Sequence, residues 1–227
     1  MKILCILLTV LLAWPLSASD TIKMTDPESV LELYQSMKDV HEVLNKHQIP
    51  YWVDGGTLLG AVRHKGIIPW DNDVDICMNI EDEGRFLALE TVWSDLGFYI
   101  RQYHWGYKLV SQTGTALDVF MTLHENNKVI YWSEEIRQLY GTRDGGPLYY
   151  SMNELYPLRQ YQFGELLVMG PNYPYTYLDC GYKNWDTTVR VLIDHIYNGY
   201  DPREIALTDD LKMPAFPTGP LQNRVLE

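Results

Sequence analysis

The stretch Asp71-Asn72-Asp73-Val74-Asp75 sets three carboxylates two residues apart. Side chains alternate along a strand, so Asp71, Asp73 and Asp75 are expected to line one face together. Three like charges on one face repel each other, and they serve a purpose only if something positive sits between them. Ligation by carboxylate oxygens alone suits Mg2+ or Mn2+. A calcium loop of the EF-hand type opens with the same spacing, but it needs glycine at its sixth position and glutamate at its twelfth. Ile76 and Asp82 stand there instead, so that reading fails. A further carboxylate, Asp118, lies inside the apolar run Leu117-Asp118-Val119-Phe120, where a charge calls for a partner or a task. Upstream, Gly55-Gly56-Thr57 falls between a strand pattern and a helix pattern. Glycines there let backbone N–H groups approach a phosphate closely, and a helix N-terminus adds a favourable dipole. Arg63, His64 and Lys65 form a cationic cluster nearby and are read as phosphate contacts or as solvated salt-bridge partners.

These groups need a scaffold, and the pattern around them supplies one. Asp26-Pro27-Glu28 is a helix start, with a capping carboxylate, proline at the first helical position and an acid near the positive end of the dipole. Val30, Leu33, Tyr34, Met37, Val40 and Leu44 then follow helical spacing up to the stop at Pro50. Tyr51-Trp52-Val53 reads as a short buried strand, Leu58 to His64 as a short helix broken by Lys65-Gly66, and Val74 to Met78 as a strand. Glu81 to Leu96 has the spacing of a second amphipathic helix, with Phe86, Leu89, Val92, Trp93 and Leu96 facing inward. Phe98–Tyr103, Tyr107–Gln112, Ala116–Leu123 and Lys128–Trp132 read as strands, the last two joined by a hairpin turn at Glu125-Asn126-Asn127. This order predicts an α+β (α/β-like) core on one mixed sheet flanked by helices. The last third is rich in Tyr and Pro and irregular, apart from a helix expected around Thr187 to Tyr197.

Composition narrows the classes. With 227 residues, 46% hydrophobic and 21% charged, the chain suits a single folded domain. A net charge of −12 argues against a general nucleic-acid binder, which needs a basic face. The 17 tyrosines and 7 tryptophans suit carbohydrate or nucleoside pockets as well as core packing. Lys2, the apolar run Ile3 to Leu16 and the small residues Ser17-Ala18-Ser19 read as a cleaved signal peptide over 1–19. The expected mature chain, 20–227, is one domain with no membrane span, secreted or held in the ER or Golgi lumen. Cys5 leaves with the leader, and Cys77 and Cys180 suffice for one disulfide, which the spacing does not decide. Cys77 is assigned to core packing, on the strand face opposite the carboxylates.

The segment GGTLLGAVRHKGIIPWDNDVDI resembles the signature of the LicD family, within the polymerase-β-like nucleotidyltransferase superfamily. That pattern is a Gly-Gly or Gly-Ser turn, then Asp-x-Asp, then a third carboxylate on a later strand; here these are Gly55-Gly56-Thr57, Asp73-Val74-Asp75 and Asp118. Pro157 to Trp185 resembles the family's closing region. The resemblance implies a nucleotidyltransferase-type sheet and Mg2+-dependent transfer of a phospho-alcohol, such as phosphocholine or ribitol phosphate, from a CDP-activated donor to a glycan hydroxyl. It makes Asp73, Asp75 and Asp118 metal ligands and catalytic groups, with Asp71 assisting and Asp118 also helping to deprotonate the acceptor. Gly55, Gly56 and Thr57 become the phosphate cradle. Three alternatives stay open: nucleotidyl transfer, glycosyl transfer by the same Asp-x-Asp site, and a secreted binding module without catalysis.

Overall fold

The computed structural model describes residues 22–141, 149–191 and 203–225. The leader expected over 1–19 lies outside them. Helix α1 (Pro27–Lys46) starts as the sequence predicts: Asp26 caps it, its carboxylate accepting from Ser29 N at 3.0 Å. All six residues of the predicted stripe are buried. The helix ends before Pro50, where His47 caps it and Gln48 turns into left-handed backbone at φ 53°.

Strand β1 (Trp52–Val53) leads into helix α2 (Gly55–Leu59), which continues as one π-helical turn over Gly60–His64 and stops at Lys65, φ 62°. Strand β2 (Val74–Asn79) follows. The helix expected over Glu81–Leu96 is broken into a 3-10 turn, Ile80–Asp82, and helices α3 (Glu83–Leu87) and α4 (Glu90–Asp95). The Phe86 carbonyl accepts Leu89 N at 3.2 Å and the Trp93 indole at 3.3 Å, so the helical ladder is interrupted there. The apolar stripe survives the break, with Phe86, Leu89, Trp93 and Leu96 buried.

Strands β3 (Phe98–Tyr103), β4 (Gly106–Ser111), β5 (Ala116–Glu125) and β6 (Lys128–Tyr131) come next, then α5 (Glu134–Gly141), β7 (Tyr150–Ser151) and α6 (Met152–Leu155). Asn126 and Asn127 both have positive φ, as a tight hairpin turn between β5 and β6 requires. The sheet runs β1-β2-β5-β4-β3, with β6 extending the far half of β5 and β7 pairing β6. The β2–β5 pair is parallel and the others are antiparallel, so the sheet is mixed. The parallel register sets Asp75 beside Asp118.

The C-terminal third has a hairpin, β8 (Arg159–Phe163) with β9 (Leu166–Gly170), then helix α7 (Tyr175–Gly181). The helix expected from Thr187 is corrected over the described residues: β10 (Thr188–Val191) pairs antiparallel with β11 (Arg203–Ala206). Thr187-Thr188-Val189-Arg190-Val191 is dominated by β-branched residues, which favour a pleated surface over a helix. The rest of that predicted helix lies outside the described residues. The final segment packs back on α1, where Arg224 reaches the buried Asp39 at 2.9 Å.

Gly106 marks the tightest approach in the sheet. Its φ is +147°, and a Cβ there would sit 2.1 Å from the Val119 carbonyl oxygen. Gly106→Ala is therefore expected to cost at least about 2 kcal/mol through strained backbone and a forced shift of β4 from β5. Chemical denaturation checks it; a variant as stable as the parent would contradict the packing.

Candidate active site

Asp75 lies on β2 and Asp118 on β5, side by side in register. Asp73 lies one residue before β2, not within it. Asp73, Asp75 and Asp118 each offer an oxygen within 4.8 Å of the others. Asp71 and Asp73 belong to the loop entering the strand, so the expectation of three carboxylates on one strand face is corrected. Asp71 is held by turn geometry: its N–H donates to Ile68 O at 2.9 Å and its own carbonyl accepts from Thr25 at 2.6 Å.

The Gly-Gly turn sits directly against these acids. Gly55 has φ +52°, and a Cβ on it would come within 3.0 Å of Asp75 Oδ2; a Cβ on Gly56 would come within 2.8 Å of Asp71 Oδ2. Thr57 is buried, and its hydroxyl accepts the Asp75 backbone N–H at 2.8 Å. It thus ties α2 to β2 at the carboxylate itself. Asp54, at the start of the turn, is fully buried and accepts from the Tyr131 hydroxyl, which also meets the Tyr177 hydroxyl at 2.8 Å.

Burial is the main force raising the carboxyls of Asp71 and Asp75 well above the usual range, and their acidic neighbours, Asp73 first, push the same way. Burial also raises Asp118 and Asp54, against opposing help from Lys108 and from Tyr131 respectively. Lys108 Nζ stands 2.8 Å from Asp118 Oδ2, while Asp118 Oδ1 is buried without a hydrogen-bond partner. A buried acceptor left bare costs about 1–3 kcal/mol, so the donor set fits a hard divalent cation bound by oxygen.

Cys77 has the same parity on β2 as Asp75, which corrects its assignment to the opposite face: its thiol is pushed up by burial and by the nearby Asp54 carboxyl. Cys77 and Cys180 are both free thiols. The side chains of the Arg63-His64-Lys65 cluster are turned to backbone. Arg63 donates to Trp185 O at 2.7 Å, His64 Nε2 meets Leu211 O at 3.0 Å, and Lys65 Nζ donates to Val62 O at 3.0 Å. Burial, then Arg63, lowers His64 to about 3, so its ring is neutral near pH 7. Among the described residues the cation at the acids is Lys108, which the sequence reading missed; only the β4–β5 register sets it opposite Asp118.

A pH test follows from the raised carboxyls. An acid whose folded value exceeds its unfolded value near 3.8 stabilises the fold below that value and loses the contribution as pH rises toward the folded one. The metal-free protein should therefore lose thermal stability as pH rises from about 4, and added Mg2+ or Mn2+ should restore it at the upper end. Asp39, raised to about 6 by burial against Gln35 and Arg224, adds a slope of its own. The diagnostic is thus the difference from Asp75→Asn, whose slope should be shallower; equal slopes and no response to metal would contradict the site.

A Gly-Gly turn opening a helix, with acids beside it on neighbouring parallel strands of a mixed sheet, defines a nucleotidyltransferase-type domain. Residues 48–173 match the family model LicD/FKTN/FKRP, nucleotidyltransferase domain, and the chain belongs to that family. An uncharacterised Rickettsia prowazekii protein is 38% identical over 204 residues, covering 87% of this chain and 74% of that protein. The lipopolysaccharide cholinephosphotransferase LicD of Haemophilus influenzae is 40% identical over 65 residues, covering 29% of this chain and 24% of that enzyme. The human ribitol 5-phosphate transferase FKRP is 44% identical over 63 residues, 28% of this chain and 13% of that enzyme. Among solved structures, ANT(2")-Ia in complex with adenylyl-2"-tobramycin aligns with a TM-score of 0.43 at 13% identity, covering 65% of this chain and 76% of that one. That likeness is too weak to bear on the fold, which the sheet itself defines. No helix among the described residues is long and apolar enough to cross a membrane.

Proposed function

We propose that the chain is a single LicD-type domain that transfers a phospho-alcohol from a CDP-activated donor to a glycan hydroxyl, in the secretory pathway if residues 1–19 act as the leader they resemble. The observation that carries the reading is the convergence of Asp73, Asp75 and Asp118 within 4.8 Å beneath the Gly55-Gly56 turn. The named transferases among the relatives supply the substrate class: one is called a cholinephosphotransferase, the other a ribitol 5-phosphate transferase. Asp73, Asp75 and Asp118 would hold Mg2+ or Mn2+, which when bound neutralises charge on the donor diphosphate. Asp71 supports Asp73 from the loop. The bare backbone of Gly55 and Gly56 leaves room for phosphate oxygens beside the acids. The bond from the acceptor oxygen to phosphorus forms as the bond from phosphorus to the CMP oxygen breaks, and Asp118 accepts the acceptor's proton. Thr57 works at one remove, by fixing the backbone of Asp75.

The test is product analysis. The purified protein is incubated with a lipopolysaccharide acceptor, the class named for one relative, and CDP-choline, CDP-ribitol or CDP-glycerol in turn. CMP release from one donor, dependent on Mg2+ or Mn2+ and matched by phosphate-linked alcohol on the glycan, supports the reading. Pyrophosphate release from a nucleoside triphosphate instead would make the chain a nucleotidyltransferase and overturn it.

A further inference from the structure

The hairpin joining β3 and β4 carries side chains that the acidic cluster alone does not explain. Tyr103 and Trp105 stack with ring centres 4.5 Å apart and planes 17° apart. Trp105 stacks in turn on Phe120 at 6.2 Å and 28°. Both hairpin rings are half-buried, and Tyr103 ends the stack among the described residues. The support is stiff, because Gly106 brings the hairpin hard against the backbone of β5. Lys108 Nζ lies 5.9 Å from the centre of each of these two rings and 2.8 Å from Asp118 Oδ2. One ammonium group therefore connects an aromatic stack to a carboxylate of the candidate metal centre.

We propose that Tyr103 and Trp105 are the base-stacking platform for the donor's nucleoside and that Lys108 is a phosphate contact. The proposal rests on the reading of the chain as a nucleotide-dependent transferase and adds which residues seat the nucleotide. Every nucleobase has a π-face, and a ring added to an existing stack gains contact without needing matched hydrogen bonds. A phosphate between Lys108 and a cation held by the acids would meet positive charge from both sides. Aromatic rings also attract quaternary ammonium groups, so the alcohol end of a choline donor is the rival occupant. Lys108 decides against it: its ammonium already stands equally near both rings, and a second cation there would be repelled.

The experiment measures binding of CDP and of pyrophosphate, each with Mg2+, to the full chain and to Tyr103→Leu, Tyr103→Phe and Lys108→Met. Tyr103→Leu should weaken CDP by about 5- to 100-fold, the range expected for one lost base stack, and leave pyrophosphate unchanged. Tyr103→Phe keeps the ring and should bind CDP like the parent, while Lys108→Met should weaken both ligands. Tyr103→Leu binding CDP as well as the parent, or losing CDP and pyrophosphate equally, overturns the platform while the transferase reading stands. A parent protein that binds neither ligand overturns both. Because Lys108→Met leaves Asp118 unpaired and can weaken folding, the two Tyr103 variants carry the decision.

Discussion

Asp75→Asn is expected to lose at least about 1,000-fold in turnover and, without metal, to melt higher than the parent protein. Asp75 is pressed by burial and by Asp73, Asp118, Asp71 and Asp54, all acting to disfavour its charge. Asparagine keeps the shape, and it removes one negative charge from a place where nothing but a bound cation would reward it. The backbone N–H that Thr57 accepts is unchanged by the substitution, so the strand should stay in register. Stability and activity thus move in opposite directions, as expected where function holds like charges together. The stabilisation should disappear in saturating Mg2+, on the proposal that the parent binds the ion and the variant does not. Steady-state rates and melting curves with and without metal check this. A variant that turns over normally, or one that melts lower in both conditions, would contradict the assignment.

Gly55→Ala should lose about 100-fold in activity at a cost in stability of about 1–2 kcal/mol. The stability cost comes from φ +52°, a left-handed conformation that alanine adopts only under strain. The larger loss in rate comes from crowding: the new methyl would sit 3.0 Å from Asp75 Oδ2, pressing on an oxygen needed in position. Gly56→Ala offers a parallel case with ordinary backbone, since its methyl would meet Asp71 Oδ2 at 2.8 Å. Rate loss in both variants with strain only in the first would separate the two causes. Full activity in Gly55→Ala would show that the turn is not packed against the working carboxylate.

What the sequence shows of this site divides along local and non-local lines. The three acids that come within 4.8 Å of one another carry local marks in the sequence, Asp73 and Asp75 as a close pair and Asp118 as an isolated acid in an apolar run. The amphipathic stripe of α1 was legible for the same reason. Asp71 reaches the cluster by a loop, so its face could not be read from strand alternation. Lys108 was hidden: it lies in a recognised strand, but only the antiparallel register of β4 on β5 places it opposite Asp118. Arg63 and His64 look like phosphate ligands beside an acidic motif until Trp185, Thr188 and Leu211, more than a hundred residues later, supply their carbonyl partners. Cys77 is a different kind of miss. Alternation along β2 puts it on the side of Asp75, next to a buried Asp54 whose tertiary contacts with Tyr131 and Tyr177 no local pattern shows.

The most direct test is calorimetric titration of CDP-choline, CDP-ribitol and CDP-glycerol into the protein, with and without Mg2+, repeated with Asp73→Ala. The account predicts binding of one CDP-alcohol that requires the metal and is lost in the variant. Binding that ignores both metal and Asp73, or no binding of any CDP-alcohol, CDP-glycerol included, in any condition, would contradict it.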